Sequence, residues 1–312
     1  VTAFWNYPEL IIISLSILAF ADPIAAQIGE SADAPSNLII WHDKKSIQGL
    51  IAFFICTFVI IYIAIELLFN FSIIYSLLFT MFVSMGATIS ELTSYRGSDN
   101  FSIPIVSILF MICFFELIPP SNQITLDIIF DKRIIMIFMI IFAFTIAYFF
   151  KLLTPSGFFG AIIMGIIIFT LGSYLYLIPI TAFFLLSSLL GKLFNHTSLY
   201  RIKEPTRNII QVYANGGVGL IFCIINYFHP DPIYIFLFLS STAAAMSDTW
   251  GTEFGKLSKD KPISILTLKT IDYGLSGGIT QIGTLGSLLG SCIIGLIVWL
   301  LNFSSTFFIY II

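Results

Sequence analysis

IQGLIAFFICTFVIIYIAIEL, residues 47–67, holds one charged side chain, Glu66, in 21 positions. A helix needs about 20 mainly apolar residues to cross the hydrocarbon core of a bilayer, so this stretch predicts a transmembrane helix. It has many companions. Similar runs lie at 10–29, 71–90, 101–118, 134–150, 157–172, 174–191, 208–228, 232–247 and 276–301. The pair 157–172 and 174–191 reads equally as one bent segment split around Leu171-Gly172-Ser173, and Asn302 to Ile312 reads as the start of a further span. Across all 312 residues, hydrophobic side chains make up 58% and charged ones 10%, with a mean hydropathy of +1.01. A soluble domain carries roughly 25% charge. A water-soluble enzyme, a disordered chain and a secreted disulfide scaffold are therefore excluded. The expected fold class is all-α: a polytopic transmembrane helical bundle of about ten helices in two related halves, in the cell membrane.

The four cysteines (Cys56, Cys113, Cys223 and Cys292) fall inside apolar runs without C-x-x-C spacing and read as packing residues. No basic segment precedes the first apolar run, so no cleavable signal peptide is expected. The start at Val1 suggests an unusual start codon or a fragment.

Ten spans place loops 30–46, 91–100, 151–156, 192–207 and 248–275 on one side. These loops carry 12 of the 14 basic residues; Lys132 and Arg133 fall opposite. The positive-inside rule makes the basic side cytoplasmic.

The polar outer loop from Pro119 to Arg133 is the natural seam, and a pattern repeats across it. Ala21-Asp22-Pro23-Ile24-Ala25-Ala26-Gln27-Ile28-Gly29 is echoed by Ser247-Asp248-Thr249-Trp250-Gly251-Thr252-Glu253-Phe254-Gly255. Each copy ends an apolar helix with Asp, followed by Gln or Glu at the fifth position and Gly at the seventh. A Lys and then a Ser/Gly group follow in both: Lys45-Ser46 with Gly49, and Lys269 with Ser276-Gly277-Gly278.

Asp22 is the sharpest single residue. An ionisable group at the end of an apolar helix is costly unless hydrated, paired or metal-bound, and Mg2+ favours one or two carboxylates plus substrate phosphates. An interfacial capping role is the plain alternative. Lys44, Lys45, Ser46 and Gly49 open the next helix, where backbone N–H groups favour anions; the lysines also serve as ordinary anchors. Glu91 and the run Tyr95-Arg96-Gly97-Ser98-Asp99-Asn100 form a third polar cluster. There Arg96 is placed to clamp a phosphate, Glu91 or Asp99 to hold a metal, and Asp99-Asn100 to cap the helix starting at Phe101. In the second half, Arg207 leads towards Asn215-Gly216-Gly217 inside an apolar helix, which points to a lined cavity or close helix packing. Asp248, Glu253, Lys256 and Lys269 share one loop. Gly283, Gly286 and Gly290 read as a structural packing face. His42, His196 and His229 lack metal-ligand spacing, no Walker A motif is present, and no nucleic-acid partner is expected.

These residues resemble known families. Residues 150–301, through the Ser247-to-Ser258 block, Ser276-Gly277-Gly278-Ile279-Thr280-Gln281 and Arg207-Asn208 with Asn215-Gly216-Gly217, are similar to the membrane family of plant phytyl-phosphate kinase and its bacterial relatives. Residues 18–105, through Asp22-Pro23 with Ala25-Ala26 and Gly29, Lys44-Lys45-Ser46 with Gly49, and Glu91 through Pro104, resemble the phytol kinase and dolichol kinase group. That group shares a remote pattern with phosphatidate cytidylyltransferases. The resemblance implies a phytol/dolichol kinase-like domain over 1–118 and a phytyl-phosphate kinase-like domain over 134–312, incomplete at their outer ends. It implies CTP as phosphoryl donor, Mg2+, and an isoprenoid alcohol or isoprenyl monophosphate as acceptor, with membrane lipids as surroundings. On that basis Asp22, Asp248 and Glu253 hold the metal, and Lys269 joins them as a catalytic residue. Lys44, Lys45, Ser46, Gly49, Arg96, Asp99, Arg207, Asn215, Lys256, Ser276 and Gly277 hold the nucleotide. Since phosphoryl transfer rests on positioning and electrostatics, Lys45, Lys256 and Lys269 offset charge on the transferring group. The alternatives are cytidylyl transfer from CTP to an anionic lipid, and a transporter, whose repeated halves and intramembrane acids look alike.

Overall fold

Helices dominate the computed structural model, which describes residues 4–32, 37–40, 44–120, 131–195, 206–275 and 277–301. The first rod runs from Pro8 to Ser31 as α1 (Pro8–Ser16), a π-helical turn (Ile17–Ala21) and α2 (Asp22–Ser31). There follow α3 (Ile47–Leu68), α4 (Ile73–Thr93), α5 (Asp99–Leu117), α6 (Lys132–Phe149), α7 (Pro155–Gly172), α8 (Tyr174–Asn195), α9 (Ile209–Phe228), α10 (Pro232–Gly255) and α11 (Gln281–Leu300). Among the described residues, nine of these rods are long and apolar enough to cross a membrane. The tenth, α10, has the length at 24 residues, but its end from Ser247 onward is polar. Two antiparallel hairpins sit in the loops: β1 (Asn37–Ile39) with β2 (Lys44–Ser46), and β3 (Ile263–Ser264) with β4 (Gly278–Ile279).

Ten rods meet the sequence expectation, with three adjustments. The segment around Leu171-Gly172-Ser173 is a break between two helices, marked by Ser173 at φ 69°. The span expected over 232–247 continues to Gly255, carrying Asp248 and Glu253 on a helix instead of a loop. The span expected from 276 begins at Gln281, because β4 and the Thr280 cap precede it. The stretch Asn302 to Ile312 lies outside the described residues.

The chain forms two compact units, one of 1–148 with 155–170 and the other of 149–154 with 171–312. The division therefore falls later than the Pro119–Arg133 loop. The first unit owes its form to α3, α4 and α5. In α3 the buried positions Gly49, Phe53, Thr57, Ile61 and Ile65 recur every four residues, a narrow stripe on one helix face. Ile51, Ile55, Val59, Ile63 and Leu67 stay exposed, which suits contact with lipid. On α4, buried Ser76, Thr80 and Ser84 follow the same spacing; small side chains at such intervals let membrane helices approach closely. At the far end of α4, Phe79 and Phe114 meet edge to face at 5.2 Å, and the Tyr75 hydroxyl donates to the Ile118 carbonyl at 2.8 Å. In the second unit, α10 packs against α8, α9 and α11.

The Tyr75–Ile118 hydrogen bond satisfies a buried carbonyl just past the end of α5. Replacing Tyr75→Phe leaves that acceptor unpaired at nearly constant volume. The expected loss is about 1–3 kcal/mol, read as a lowered thermal midpoint of the purified protein in detergent, whereas an unchanged midpoint contradicts it.

Candidate functional site

Asp22 owes its position to a local fault in the first rod. Pro23 has no N–H to give the carbonyl four residues back, and its ring crowds that turn. The π-helical turn Ile17–Ala21 takes up the mismatch immediately before Asp22. Turns of this kind release backbone groups and often occur at functional sites. From Asp22, α2 runs alongside the beginning of α3. Ser46 caps α3, its Oγ accepting from the Gly49 N–H at 3.1 Å. The two backbones nearly touch: a Cβ on Gly49 would stand 2.8 Å from the Ala25 carbonyl oxygen and 3.4 Å from Gly29 Cα.

This contact closes one side of a cavity of about 410 Å³, lined by Asp22, Lys45, Ser46, Gly49, Glu91 and Asp99 among others. Asp22, Glu91 and Asp99 each place a carboxylate oxygen within 4.8 Å of the other two. Glu91 is the most enclosed, its side chain 8% exposed. It pairs with the Lys45 ammonium, which also donates to Ser94 Oγ at 3.3 Å. Ser94 Oγ in turn donates to the Glu91 carbonyl at 2.7 Å. Asp99 is the first residue of α5 instead of its cap, and Oδ1 accepts from the Asn100 N–H at 2.9 Å. Three carboxylates against one ammonium leave two negative charges in the cluster, and the exposed Glu30, which also lines the cavity, adds a third, an excess that favours a divalent cation.

The donor set fits Mg2+. Oxygens sharing that ion at about 2.1 Å lie at most about 4.2 Å apart, so small side-chain rotations suffice. Mg2+ bound by few carboxylates keeps sites for phosphate oxygens. Lys45 and the N-terminus of α3 face the same cavity and favour anions. Hard-cation ligands and anion-binding groups thus share one space, which suits a cation–polyphosphate complex.

Of the expected first-half residues, Asp22, Lys45, Ser46, Gly49 and Asp99 come together here. Glu91, read from the sequence as an alternative metal holder, is at the centre. Lys44 opens β2. Arg96 does not line the cavity; at φ 48° it turns outward, with its guanidinium 5.0 Å above the Tyr95 ring.

The second unit repeats the backbone arrangement. A Cβ on Gly283 would stand 2.9 Å from the Gly251 carbonyl oxygen, 2.9 Å from Thr280 Oγ1 and 3.4 Å from Gly255 Cα. The matching distances at Gly49 are 2.8 Å to Ala25, 2.9 Å to Ser46 Oγ and 3.4 Å to Gly29. Thr280 caps α11 by accepting from the Gly283 N–H at 3.0 Å, as Ser46 caps α3. An antiparallel hairpin precedes the capped helix in each unit. The repeat seen in the sequence is therefore physical, but its second part was set too early. Thr280 and Gly283 match Ser46 and Gly49, whereas Gly277 is a turn residue at φ +80°. Ser276 lies outside the described residues.

The matched positions pair Asp22 with Asp248, but the surroundings differ. Asp248 is exposed, and Ile279 takes the position of Lys45. Among the described residues no other three acidic or metal-ligating side chains gather as Asp22, Glu91 and Asp99 do. Asp248 and Glu253 do not converge, since five residues of continuous helix separate them by about 140° around the axis. Glu253 instead pairs with Lys256 at 2.6 Å. Lys269 is exposed in the loop, and its carbonyl accepts from the Ser264 N–H at 2.9 Å. Asn215 sits half-buried on α9. Arg207, only 8% exposed, lies beside α8 with its guanidinium 4.9 Å from the Phe183 ring. Burial pushes its pKa down to about 10, against an upward pull from Glu253. Gly286 and Gly290 pack against Phe254 and Met246 of α10, in line with a structural role.

The rods and their lipid-facing apolar surfaces define a multi-pass integral membrane protein. The chain belongs to the family described as integral membrane protein DUF92, which matches residues 138–312. An uncharacterized membrane protein of Methanocaldococcus jannaschii is 36% identical over 152 residues, covering 48% of this chain and 63% of that protein. An uncharacterized membrane protein of Synechocystis sp. is 27% identical over 168 residues, covering 51% of this chain and 65% of its own length. The chain thus matches just under two thirds of each relative. No solved structure matches it significantly. The family match contains Asp248, Thr280 and Gly283, while the three-carboxylate cavity lies before it.

Removing Lys45 leaves three carboxylates crowded around a mostly buried Glu91. Breaking a fully buried pair from one side costs about 3–5 kcal/mol, and replacing both partners is often near neutral. Lys45 is 24% exposed, so a smaller loss is expected here. Lys45→Met should lower the thermal midpoint, and Lys45→Met with Glu91→Leu should recover most of the loss. Equal midpoints for the single and double variants would contradict the pairing.

Proposed function

We propose that this protein is an integral membrane phosphotransferase, passing the γ-phosphoryl group of CTP to an isoprenoid alcohol or isoprenyl monophosphate at the cytoplasmic face. The observation that carries this reading is the meeting of Asp22, Glu91 and Asp99 with Lys45 and the capped start of α3 in one cavity. CTP and the isoprenoid acceptor come from the resemblance of Asp22-Pro23, Lys44-Lys45-Ser46 and Glu91 through Pro104 to the phytol and dolichol kinase group.

The roles follow from the partners. Asp22, Glu91 and Asp99 would hold Mg2+, which supplies neutralisation of the phosphate oxygens. Lys45 and the first N–H groups of α3 orient the polyphosphate and stabilise charge growing on the leaving oxygen. The acceptor oxygen bonds to the γ-phosphorus as the bond to the β–γ bridging oxygen breaks, and CDP leaves. With an alcohol acceptor, a base must take the hydroxyl proton. Glu91 is engaged by Lys45 and Asp99 by the Asn100 N–H, so Asp22, through the carboxylate oxygen that does not hold the metal, is assigned to that proton.

Membranes containing the protein, supplied with Mg2+, phytol or geranylgeraniol and their monophosphates, and CTP labelled at either phosphate, test the reading. Label from the γ-position is expected in the lipid, falling at least about 100-fold in Asp22→Asn and in Asp99→Asn, a loss of the size seen when a stabilising group is removed. Label from the α-position in the lipid would replace the kinase reading with cytidylyl transfer. No label from either position sinks both.

A further inference from the structure

We infer that the second unit contains a separate receptor for a phosphate-type oxyanion, centred on the guanidinium of Arg207. The side chain is more than nine-tenths buried. Its guanidinium carbon lies over aromatic rings, 4.9 Å from the Phe183 centroid and 5.7 Å from that of Phe184. Phenyl rings attract the cation but offer no conventional acceptor to the edge of the guanidinium, whose five N–H donors need acceptors. Among the described residues no acceptor lies in hydrogen-bonding or ion-pair reach of that edge. Buried charges are ordinarily paired or hydrogen-bonded, so this edge is a vacancy of charge and of acceptors together.

The surroundings do not supply the missing anion. Glu253 is near enough for its charge to act on Arg207, but its Oε1 is held by Lys256 at 2.6 Å. Its buried Oε2, which has no hydrogen-bond partner among the described residues, makes no ion pair with the guanidinium. Among the described residues, Arg207, Lys256 and Glu253 together carry one net positive charge. The backbone at Arg207 is fixed: its N–H donates to the Leu152 carbonyl and its carbonyl accepts from the Thr154 N–H, both at 3.0 Å. Asn208, the next residue, caps α9 through a reciprocal capping box with Gln211, so the positive end of a 20-residue helix begins beside the guanidinium. A planar fork on a fixed backbone, a net positive charge and a helix N-terminus together favour an oxyanion such as phosphate, which the fork can hold by two parallel N–H···O bonds. Its source is a free phosphate or the headgroup of a lipid phosphomonoester.

Purified full chain in phosphatidylcholine nanodiscs provides the test, with thermal unfolding as readout. One arm titrates inorganic phosphate against chloride at matched ionic strength. The other replaces part of the lipid with phosphatidic acid, without free phosphate. Wild type is expected to gain several degrees in at least one arm, and the responding arm names the source. Arg207→Gln should lose the response while keeping its elution volume and helical content. If Arg207→Gln does not fold, Arg207→Lys keeps the charge without the fork, and its apparent affinity should fall at least tenfold. Wild type responding in neither arm, or either variant responding as wild type does, overturns the inference. Asp22→Asn should respond as wild type, so failure here and failure of the kinase reading are distinguishable.

Discussion

The near-contact between α2 and the start of α3 governs the first unit. Gly29 and Gly49 have no side chains to hold the backbones apart, and any Cβ at Gly49 would press on the Ala25 carbonyl oxygen at 2.8 Å. Only at this spacing do Asp22 on one helix and Ser46 on the other border a common space. The same geometry recurs at Gly255 and Gly283. Two stretches of sequence, alike in few positions, thus satisfy one steric constraint: small residues where the helices cross, and a hydroxyl cap three residues before the second glycine.

Once α2 and α3 touch, the charges on neighbouring elements are brought into conflict. Asp22 and Asp99 come from different helices, and α4 adds Glu91 from within the bundle. Lys45 reconciles part of this by reaching Glu91 from the middle of β2. It cannot neutralise all three carboxylates. A folded chain that gathers unpaired acids at the edge of a membrane gives up stability for that arrangement, and a bound cation is the simplest compensation. The second unit keeps the backbone frame but sets Ile279 where Lys45 would be, and Glu253 turns to Lys256. Frame and charge are separable features, present together in the first unit.

Much of this was legible in the sequence because the signals are local. Long apolar runs mark the rods. Asp22 beside Pro23, and Ser46 three residues before Gly49, are short-range patterns whose physics needs no tertiary information. The exact partner of Ser46 in the second half was not legible, since Ser276-Gly277-Gly278 offers the same residue types a few positions before Thr280. A cap is defined by which hydroxyl meets the N–H of the third helical residue, and several candidates compete within one loop. Glu91 could be named but not placed at the centre, because its role depends on Lys45, 46 residues away in sequence. Arg207 was singled out by its company, not by its burial. Its stacking on Phe183 and Phe184 arises from packing between distant segments, to which periodicity is blind.

The α2–α3 pair also explains how a charged cavity can lie next to lipid. Helical geometry assigns Asp22, Ala25, Ala26 and Gly29 to one face of α2, and Ile24 and Ile28 to the opposite face. The cap Ser46 and, on α3, Gly49 and Leu50 face the cavity, whereas Ile51, Ala52 and Ile55 line an apolar groove with Ile24 and Ile28. Because the glycines let the helices meet backbone to backbone, the wall between the two environments is a single helix layer. The acceptor proposed above, with an apolar chain and a polar end, would need such a boundary. Its chain would remain among side chains like those of lipid, while its polar end would have only one helix layer to pass around before reaching the carboxylates. Bulkier residues at Gly29 or Gly49 would thicken the wall and separate Asp22 from Ser46 in the same movement, so the steric and electrostatic demands of the site converge on the same two positions.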